Sequence, residues 1–160
     1  MTERIVYLDS SAIANRYLAE EGTEAVDGLY RRAERRSLRI AFSMSNLGEV
    51  LGVAAKAQRL GWIPEPRART FVWAFLNETL KLRGLGNLRI LAVRSDLLSR
   101  GVPLLFRHGL SQADALQIES CRDIRADAFV CADEKLLRAA KGEGLVSLDP
   151  VRDSSRIRAL

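Results

Sequence analysis

The chain has 160 residues, of which 48% are hydrophobic and 28% are charged, and its formal net charge is +5. This length is typical of one domain and allows a continuous core without disulfides or a structural metal. The apolar stretches fall short of the roughly 20 residues that a membrane-spanning helix needs, and the N-terminus lacks the layout of a secretion signal. We therefore expect a cytoplasmic protein with no membrane partner.

The positive charge comes almost wholly from arginine, with 21 arginines against 4 lysines. This excess favours a polyanionic partner without identifying one, because arginine suits phosphate and carboxylate recognition. Cys121 and Cys131 lie apart, with no CxxC motif and no paired histidines. They are predicted to be core thiols, not zinc ligands or a disulfide.

The first half of the chain alternates strand and helix patterns. Residues 5–8 predict a strand, and Asp9, Ser10 and Ser11 supply capping residues for the helix that follows. Thr23 begins a second helix. A strand at 38–42 precedes a helix that starts near Ser45 and ends near Gly61, and Pro64 and Pro66 lead into a fourth helix that Gly84 and Gly86 close.

The second half continues the alternation. A strand is predicted at 88–93, then a helix that Pro103 should kink or end, and then a helix from Ser111. The remaining elements are a strand at 129–131, a helix at 133–141, a strand at 145–148 and a polar tail that should fray from Arg152. This pattern predicts an α/β domain over residues 1–150, with a mostly parallel sheet between helices, and a tail at 151–160.

Four acids fall where strands meet helices. Asp9 directly follows the first strand and Asp133 follows the fourth, while Glu49 and Asp114 lie in the first turns of two helices. In open α/β sheets, ligands bind at the carboxyl ends of the strands, next to a topological switch point. We therefore expect the four carboxylates to converge at that end of the sheet.

Clustered carboxylates repel one another unless they share protons or bind a cation. A set of oxygen ligands without His or Cys selects Mg²⁺ or Mn²⁺ over zinc. Such an ion polarises a phosphoryl group and lowers the pKa of an attacking water, which is the chemistry of phosphodiester hydrolysis.

Each acid taken singly has a structural explanation. Asp9 and Asp133 are suitable caps for the helices that follow them, and Asp114 stands at capping-box distance from Ser111. Glu49 is the one acid of the four for which helix capping offers no explanation. The set of four, spread over four strand–helix units, is harder to explain by helix capping.

Four segments together resemble the PIN-domain family, and specifically the VapC-type toxins of toxin–antitoxin pairs. Residues 5–12 resemble the family's opening strand with its first acid, and residues 43–50 the segment that brings the second. Residues 110–118 are similar to the third motif, in which an acid precedes Ala-Leu. Residues 129–137 are similar to the fourth, in which an acid ends a strand before a leucine-bearing helix.

The resemblance implies a five-stranded parallel sheet flanked by helices on both faces and an endoribonuclease that depends on Mg²⁺ or Mn²⁺. It also implies an RNA substrate, a homodimer and a small antitoxin as the partner. The catalytic and metal-binding residues would be Asp9, Glu49, Asp114 and Asp133. An apolar stripe near Trp62, Phe71 and Trp73 would serve the antitoxin or the dimer, although burial in the core is the better expectation for Phe71.

The chain departs from the family pattern two residues before the fourth acid, where Cys131 replaces the usual Thr or Ser. A hydroxyl that supports the metal site is therefore missing, and Ser10 is a candidate to take over part of that role.

Other functions remain open at this stage. A phosphotransfer protein also carries an Asp after an early strand, but the phosphatases of that kind want a second Asp two residues later, where this chain has Ser11. A degenerate PIN domain would bind RNA or a protein without cutting, and a PIN nuclease in RNA processing would have no antitoxin.

Overall fold

The computed structural model describes residues 4–160 and contains five strands and eight helices in that range. The strands are β1 (Ile5–Leu8), β2 (Arg39–Ser43), β3 (Leu88–Leu91), β4 (Ala128–Val130) and β5 (Ser147–Leu148). The helices are α1 (Ser10–Leu18), α2 (Thr23–Glu34), α3 (Met44–Arg59), α4 (Glu65–Gly84), α5 (Ser95–His108), α6 (Gln112–Asp123), α7 (Glu134–Gly142) and α8 (Ser154–Ala159).

The five strands form one parallel sheet, as predicted, and their order in it is β3-β2-β1-β4-β5. From β1 the chain builds outward through β2 to β3, then crosses back to add β4 and β5 on the other side. The direction of building therefore reverses between β1 and β4. This is the topological switch point at which open α/β sheets bind their ligands.

Both faces of the sheet are covered, because successive side chains of a strand point to opposite faces. Val6 and Leu8 of β1 lie in one hydrophobic cluster with residues of α1, α2, α3, α4 and α8. Tyr7 lies in a second cluster with residues of α5, α6 and α7. Burial of each large apolar side chain contributes about 1.5–3 kcal/mol, so these two clusters dominate the stability of the fold.

Helix α5 does not end at Pro103, contrary to the sequence-based expectation, but continues to His108. A proline inside a helix removes one backbone hydrogen bond. Packing offsets this loss, because α5 lies close against α6: a Cβ added at Gly101 would stand 3.2 Å from the Cβ of Ala115. This close approach also holds the first turn of α6 against α5.

The expectation that the chain frays from Arg152 is wrong. The last residues form α8, in which Ile157 is buried in the first hydrophobic cluster. Arg4 and Arg32 donate hydrogen bonds to the carbonyl oxygens of Ala159 and Arg158 at 3.1 and 3.4 Å. Ile157, Leu160 and these hydrogen bonds together hold the segment against the rest of the fold.

Both cysteines are buried free thiols, as predicted. Across residues 4–160, no helix combines the length and the apolar character needed to cross a bilayer.

Candidate active site at the carboxyl ends of the strands

All four predicted acids line one cavity of about 370 Å³ beside the switch point. The lining residues are Asp9, Ser10, Ser11, Glu49, Gly52, Val53, Lys56, Asp114 and Asp133. Each acid comes from a different strand–helix unit, and the parallel order of the sheet brings the four units to one edge. The remaining lining residues belong to α1 and α3.

Asp9 joins β1 to α1 at the centre of the sheet. Its backbone N–H donates to the carbonyl of Val130 at 3.1 Å, which ties the ends of β1 and β4 together. Its Oδ1 caps α1 by accepting from the N–H of Ala12 at 3.0 Å. Burial raises the pKa of Asp9 to about 6, against the opposing effect of hydrogen bonds from Ala12 and Ser11. The ionised form of the Asp9 carboxylate is therefore less stable in this site than in water.

Asp133 occupies the equivalent position after β4. Its Oδ1 caps α7 by accepting from the N–H of Leu136 at 2.8 Å, and its Oδ2 has no partner among residues 4–160. The Oγ of Ser11 accepts from the N–H groups of Ala132 and Asp133 at 2.9 and 3.2 Å. The same hydroxyl donates to the carboxylate of Asp9 at 2.8 Å. Ser11 thus connects the first and fourth acids across the switch point.

Glu49 lies in the second turn of α3 and has no capping role. Its Oε2 accepts from Ser10 Oγ at 2.9 Å, and Ser10 Oγ accepts from Asn46 Nδ2 at 2.7 Å. Its Oε1 is shielded from solvent and has no hydrogen-bond partner in the described chain. Burial raises the pKa of Glu49, and the negative charge of Asp114 raises it further.

Asp114 lies in the first turn of α6 and interacts with the helix cap. Ser111 Oγ accepts from the Asp114 N–H at 3.1 Å and donates to Asp114 Oδ2 at 2.8 Å. The turn before this cap is held from α7, because Lys135 Nζ donates to the carbonyl of Gly109. The unit that carries Asp133 therefore also positions the unit that carries Asp114.

These contacts show that capping and membership of the site are not alternatives. In Asp9 and Asp133 one carboxylate oxygen accepts from a helix N-terminus, which orients the side chain toward the cavity. In Glu49 and Asp114 a serine hydroxyl holds one oxygen in the same way. A rotationally fixed carboxylate is a suitable metal ligand.

The donor set fits Mg²⁺ or Mn²⁺, since it contains only carboxylate and hydroxyl oxygens and includes the unpartnered Oε1 of Glu49. Residues 4–160 contain no group of three or more acids, histidines or cysteines already arranged to hold an ion. Mg²⁺ is usually bound through one or two carboxylates while it keeps several waters. The cavity has the composition for such binding and does not form a closed cage.

The sequence pattern did not predict three residues that contact or line the site, namely Ser11, Asn46 and Lys56. Ser11 and Asn46 act on the acids through hydrogen bonds between distant parts of the chain, which leave no local signal. Lys56 could have been found from its spacing, because it lies seven residues after Glu49 on one helix. Ser10 contacts Glu49, whereas the hydroxyl next to the buried Cys131 belongs to Ser11.

Comparisons with known proteins agree with this geometry. PAE2754 from Pyrobaculum aerophilum superposes with a TM-score of 0.69 at 18% identity, covering 99% of this chain and 100% of that one. VapC20 from Mycobacterium tuberculosis, described as a toxin that cleaves the sarcin–ricin loop, superposes with a TM-score of 0.59 at 17% identity, covering 88% and 96%. At these identities the likeness establishes the fold alone. A search of curated protein sequences gives no significant match.

The sequence itself matches the family model of the PIN domain over residues 6–142. That match begins in β1 and ends with α7, so it spans all four acids and the switch point. The chain therefore belongs to the PIN-domain family.

Proposed function

We propose that this protein is an endoribonuclease that hydrolyses RNA phosphodiester bonds with the help of Mg²⁺ or Mn²⁺. The observation that carries the proposal is the convergence of four acids, Asp9, Glu49, Asp114 and Asp133, on one cavity at the switch point. The nuclease character of PIN domains supports the same conclusion.

The carboxylates would hold the ion, which when bound polarises the phosphoryl oxygen and lowers the pKa of the attacking water. Asp9 and Asp133 are oriented beforehand by their caps and by Ser11, so they need no rearrangement when the substrate arrives. Without a cation, four carboxylates around one cavity would repel the phosphates of RNA. Binding of substrate and binding of metal should therefore be coupled.

Two observations favour RNA as the substrate. The chain is strongly basic, with a net charge of +5, although its cavity is acidic. A basic protein attracts polyanions over its whole surface and raises their local concentration. VapC20, one of the structural neighbours, is described as cleaving an RNA loop.

We also propose the role of toxin in a VapBC-type pair, with a small antitoxin as the partner, a homodimeric assembly and a cytoplasmic location. The motif resemblance and the VapC20 neighbour support this role. A shallow groove between α3 and α4 offers a surface for such a partner, and Trp73 lines it with 66% of its area exposed. Phe71, in contrast, is buried in the core as expected. Loss of self-association or of antitoxin binding in Trp73→Ser, followed by sedimentation velocity, would test this surface.

The activity is tested by incubating the protein with total RNA in Mg²⁺ or Mn²⁺, with EDTA as one control. The variant Asp114→Asn should abolish cleavage. Asp123→Asn is the matched control, because Asp123 lies at the far end of the same helix and pairs with Arg94 and Arg100. RNA binding without cleavage under either metal would instead identify a PIN domain that binds without cutting.

A further inference from the structure

One face of α3 runs along the cavity beyond the acids. Glu49, Gly52, Val53 and Lys56 all line the cavity, and their spacing of i, i+3, i+4 and i+7 places them on one side of the helix. We call these four residues the α3 track. At a rise of 1.5 Å per residue, Lys56 lies about 10 Å along the helix axis from Glu49.

Gly52 stands in the interior of α3, where glycine destabilises a helix by about 0.5–1 kcal/mol relative to alanine. Packing does not require glycine here, because an added Cβ would meet no atom within 4 Å. Its helical neighbours Ala54, Ala55 and Ala57 show that small residues with better helix propensity are used nearby. The effect of Gly52 is to keep the α3 track open between Glu49 and Lys56.

Lys56 is the only basic residue that lines the cavity among residues 4–160. Lys81 pairs with Glu34 at 2.9 Å, whereas Lys56 makes no ion pair in the described chain. Lys56 is exposed, and its ammonium group carries three hydrogen-bond donors that have no acceptor among residues 4–160. An unpaired cation on the rim of an acidic cavity can bind an anionic group of a ligand. That group would lie beyond the part of the ligand held at the acids.

We infer that the α3 track is a subsite for the backbone of an unpaired RNA strand, in which Lys56 holds a phosphate next to the scissile one and Gly52 leaves room for the sugar–phosphate chain. This inference rests on the proposed function and adds a binding residue and a substrate form. A cavity of about 370 Å³ is much smaller than a duplex, so we expect an extruded or unpaired nucleotide to be the form that enters it.

The test for Lys56 combines cleavage and binding of one labelled single-stranded RNA oligonucleotide. In Mn²⁺, Lys56→Ala should raise KM about 10-fold and change kcat less than about threefold, because the residue binds away from the reacting bond. The slope of log affinity against log salt should decrease by roughly 0.7, the value for one phosphate contact on a single strand. Lys56→Arg should restore both. Lys81→Ala removes an equal charge far from the cavity and should change neither.

The test for Gly52 uses a bulky helix-forming substitution. Gly52→Gln should weaken RNA binding about 10-fold and leave the protein at least as stable to urea, because glutamine is the better helix former. Gly28→Gln in α2 is the matched control, since a Cβ at Gly28 also meets no atom within 4 Å. The same oligonucleotide annealed to its complement should compete poorly with the single strand.

Fluorescence anisotropy of the Asp114→Asn protein with the RNA measures binding without cleavage, so the two proposals can fail separately. If the parent binds RNA but never cuts it, the proposed nuclease activity is contradicted. The effect of Lys56→Ala on RNA binding still tests the α3 track in that case. An unchanged KM, affinity and salt slope in Lys56→Ala, or equal competition by the duplex, would overturn the inference.

Discussion

Two groups of four acids in this fold differ in whether basic side chains compensate their negative charge. The cavity group consists of Asp9, Glu49, Asp114 and Asp133 and faces a single lysine. The second group belongs to an ion-pair network on α5, α6 and the end of α7, which we call the arginine network. Its members are Arg94, Asp96, Arg100, Arg107, His108, Glu119, Arg122, Asp123 and Glu143.

The pKa values of the two groups move in opposite directions. In the arginine network, a hydrogen bond from Arg94 lowers the pKa of Asp96 to about 2, and hydrogen bonds from His108 and Arg122 lower that of Glu143 to about 2. In the cavity, burial raises the pKa of Asp9 to about 6 and also raises that of Glu49. The network acids are neutralised by the chain itself, whereas the cavity acids form no ion pair within residues 4–160. Such uncompensated charge is typical of functional sites, which give up stability for activity.

Among the variants that test this difference between the two groups of acids, Asp9→Asn is expected to have the largest effect on activity. Asparagine also caps helices, so the start of α1 should persist while a buried charge is removed. Cleavage of RNA should fall at least about 100-fold, the usual loss when a preorganised electrostatic group is removed. In EDTA at pH 7 the free energy of unfolding should rise by about 1–3 kcal/mol, because each unit of the upward pKa shift corresponds to about 1.4 kcal/mol.

The network counterpart, Asp123→Asn, should behave in the opposite way, with activity retained and about 0.5–1 kcal/mol of stability lost. Urea unfolding and initial cleavage rates on the same preparations provide both measurements. A stability loss in Asp9→Asn as large as in Asp123→Asn would show that the cavity carboxylate is structural.

Ser11→Ala is expected to have the next largest effect. It removes the donor to Asp9 and the acceptor of two backbone N–H groups at the end of β4. Loss of a hydrogen bond that orients a metal ligand typically lowers activity 10–100-fold. The unsatisfied N–H groups should lower the free energy of unfolding by about 1–3 kcal/mol. Ser99→Ala, which loses only a hydrogen bond to the carbonyl of Ser95 within its own helix, is the control and should be near neutral.

The role of Ser11 marks the boundary of what the sequence could predict. The strand–helix alternation and the order of the acids predicted the parallel sheet and the convergence of Asp9, Glu49, Asp114 and Asp133, because local periodicity and strand-end position determine both. The hydrogen bonds of Ser11 to residues 132 and 133 depend on the register of β1 beside β4. Register between strands 120 residues apart is set by tertiary packing, which no local pattern encodes.

The errors have the same origin. Pro103 was expected to kink or end α5 from a local rule, and the contact of Gly101 with Ala115 outweighed that rule. The tail from Arg152 was expected to fray from its polarity, and the burial of Ile157 against α2 outweighed that polarity. In both places long-range packing decided the structure.

In the arginine network, Glu143→Gln should lower stability and leave activity within about twofold. The Glu143 side chain is 8% exposed and contacts Arg107 and His108 at 2.5 and 2.7 Å through one oxygen. Arg122 contacts the other oxygen at 2.7 Å. Removing the charge of such a group should lower the free energy of unfolding by about 1–3 kcal/mol. Glu65→Gln, which breaks one exposed pair with Arg69, should cost less than about 0.5 kcal/mol.

The pH dependence of this effect has a defined sign. The pKa of Glu143 falls from 4.5 in the unfolded chain to about 2 in the folded protein. Its charge therefore stabilises the fold above pH 4.5, and this contribution disappears as the pH falls toward 2. Glutamine does not titrate, so the stability difference between parent and Glu143→Gln should shrink over that window. Urea unfolding at pH 7 and pH 3 measures it, and an equal difference at both pH values would contradict the assignment.

The smallest expected effect concerns Cys131, where the family usually has a hydroxyl. Its Sγ is buried, 3.3 Å from the carbonyl of Asp133 and 3.9 Å from Ser11 Oγ. Cys131→Ser exchanges a weak sulfur donor for a stronger one at nearly equal volume. The loss of apolar burial and the gain of a hydrogen bond to Asp133 should nearly cancel, leaving the free energy of unfolding within about 1 kcal/mol of the parent.

Activity should also change less than about threefold in Cys131→Ser, because Ser11 already supplies the hydroxyl that connects Asp9 to the end of β4. Residues in contact can couple by 0.5–3 kcal/mol, so the variants Ser11→Ala, Cys131→Ser and the double variant form an informative cycle. If Ser11 alone supports the acids, the double variant should be as impaired as Ser11→Ala. Recovery of the parental cleavage rate in the double variant would mean that either position can orient the carboxylates.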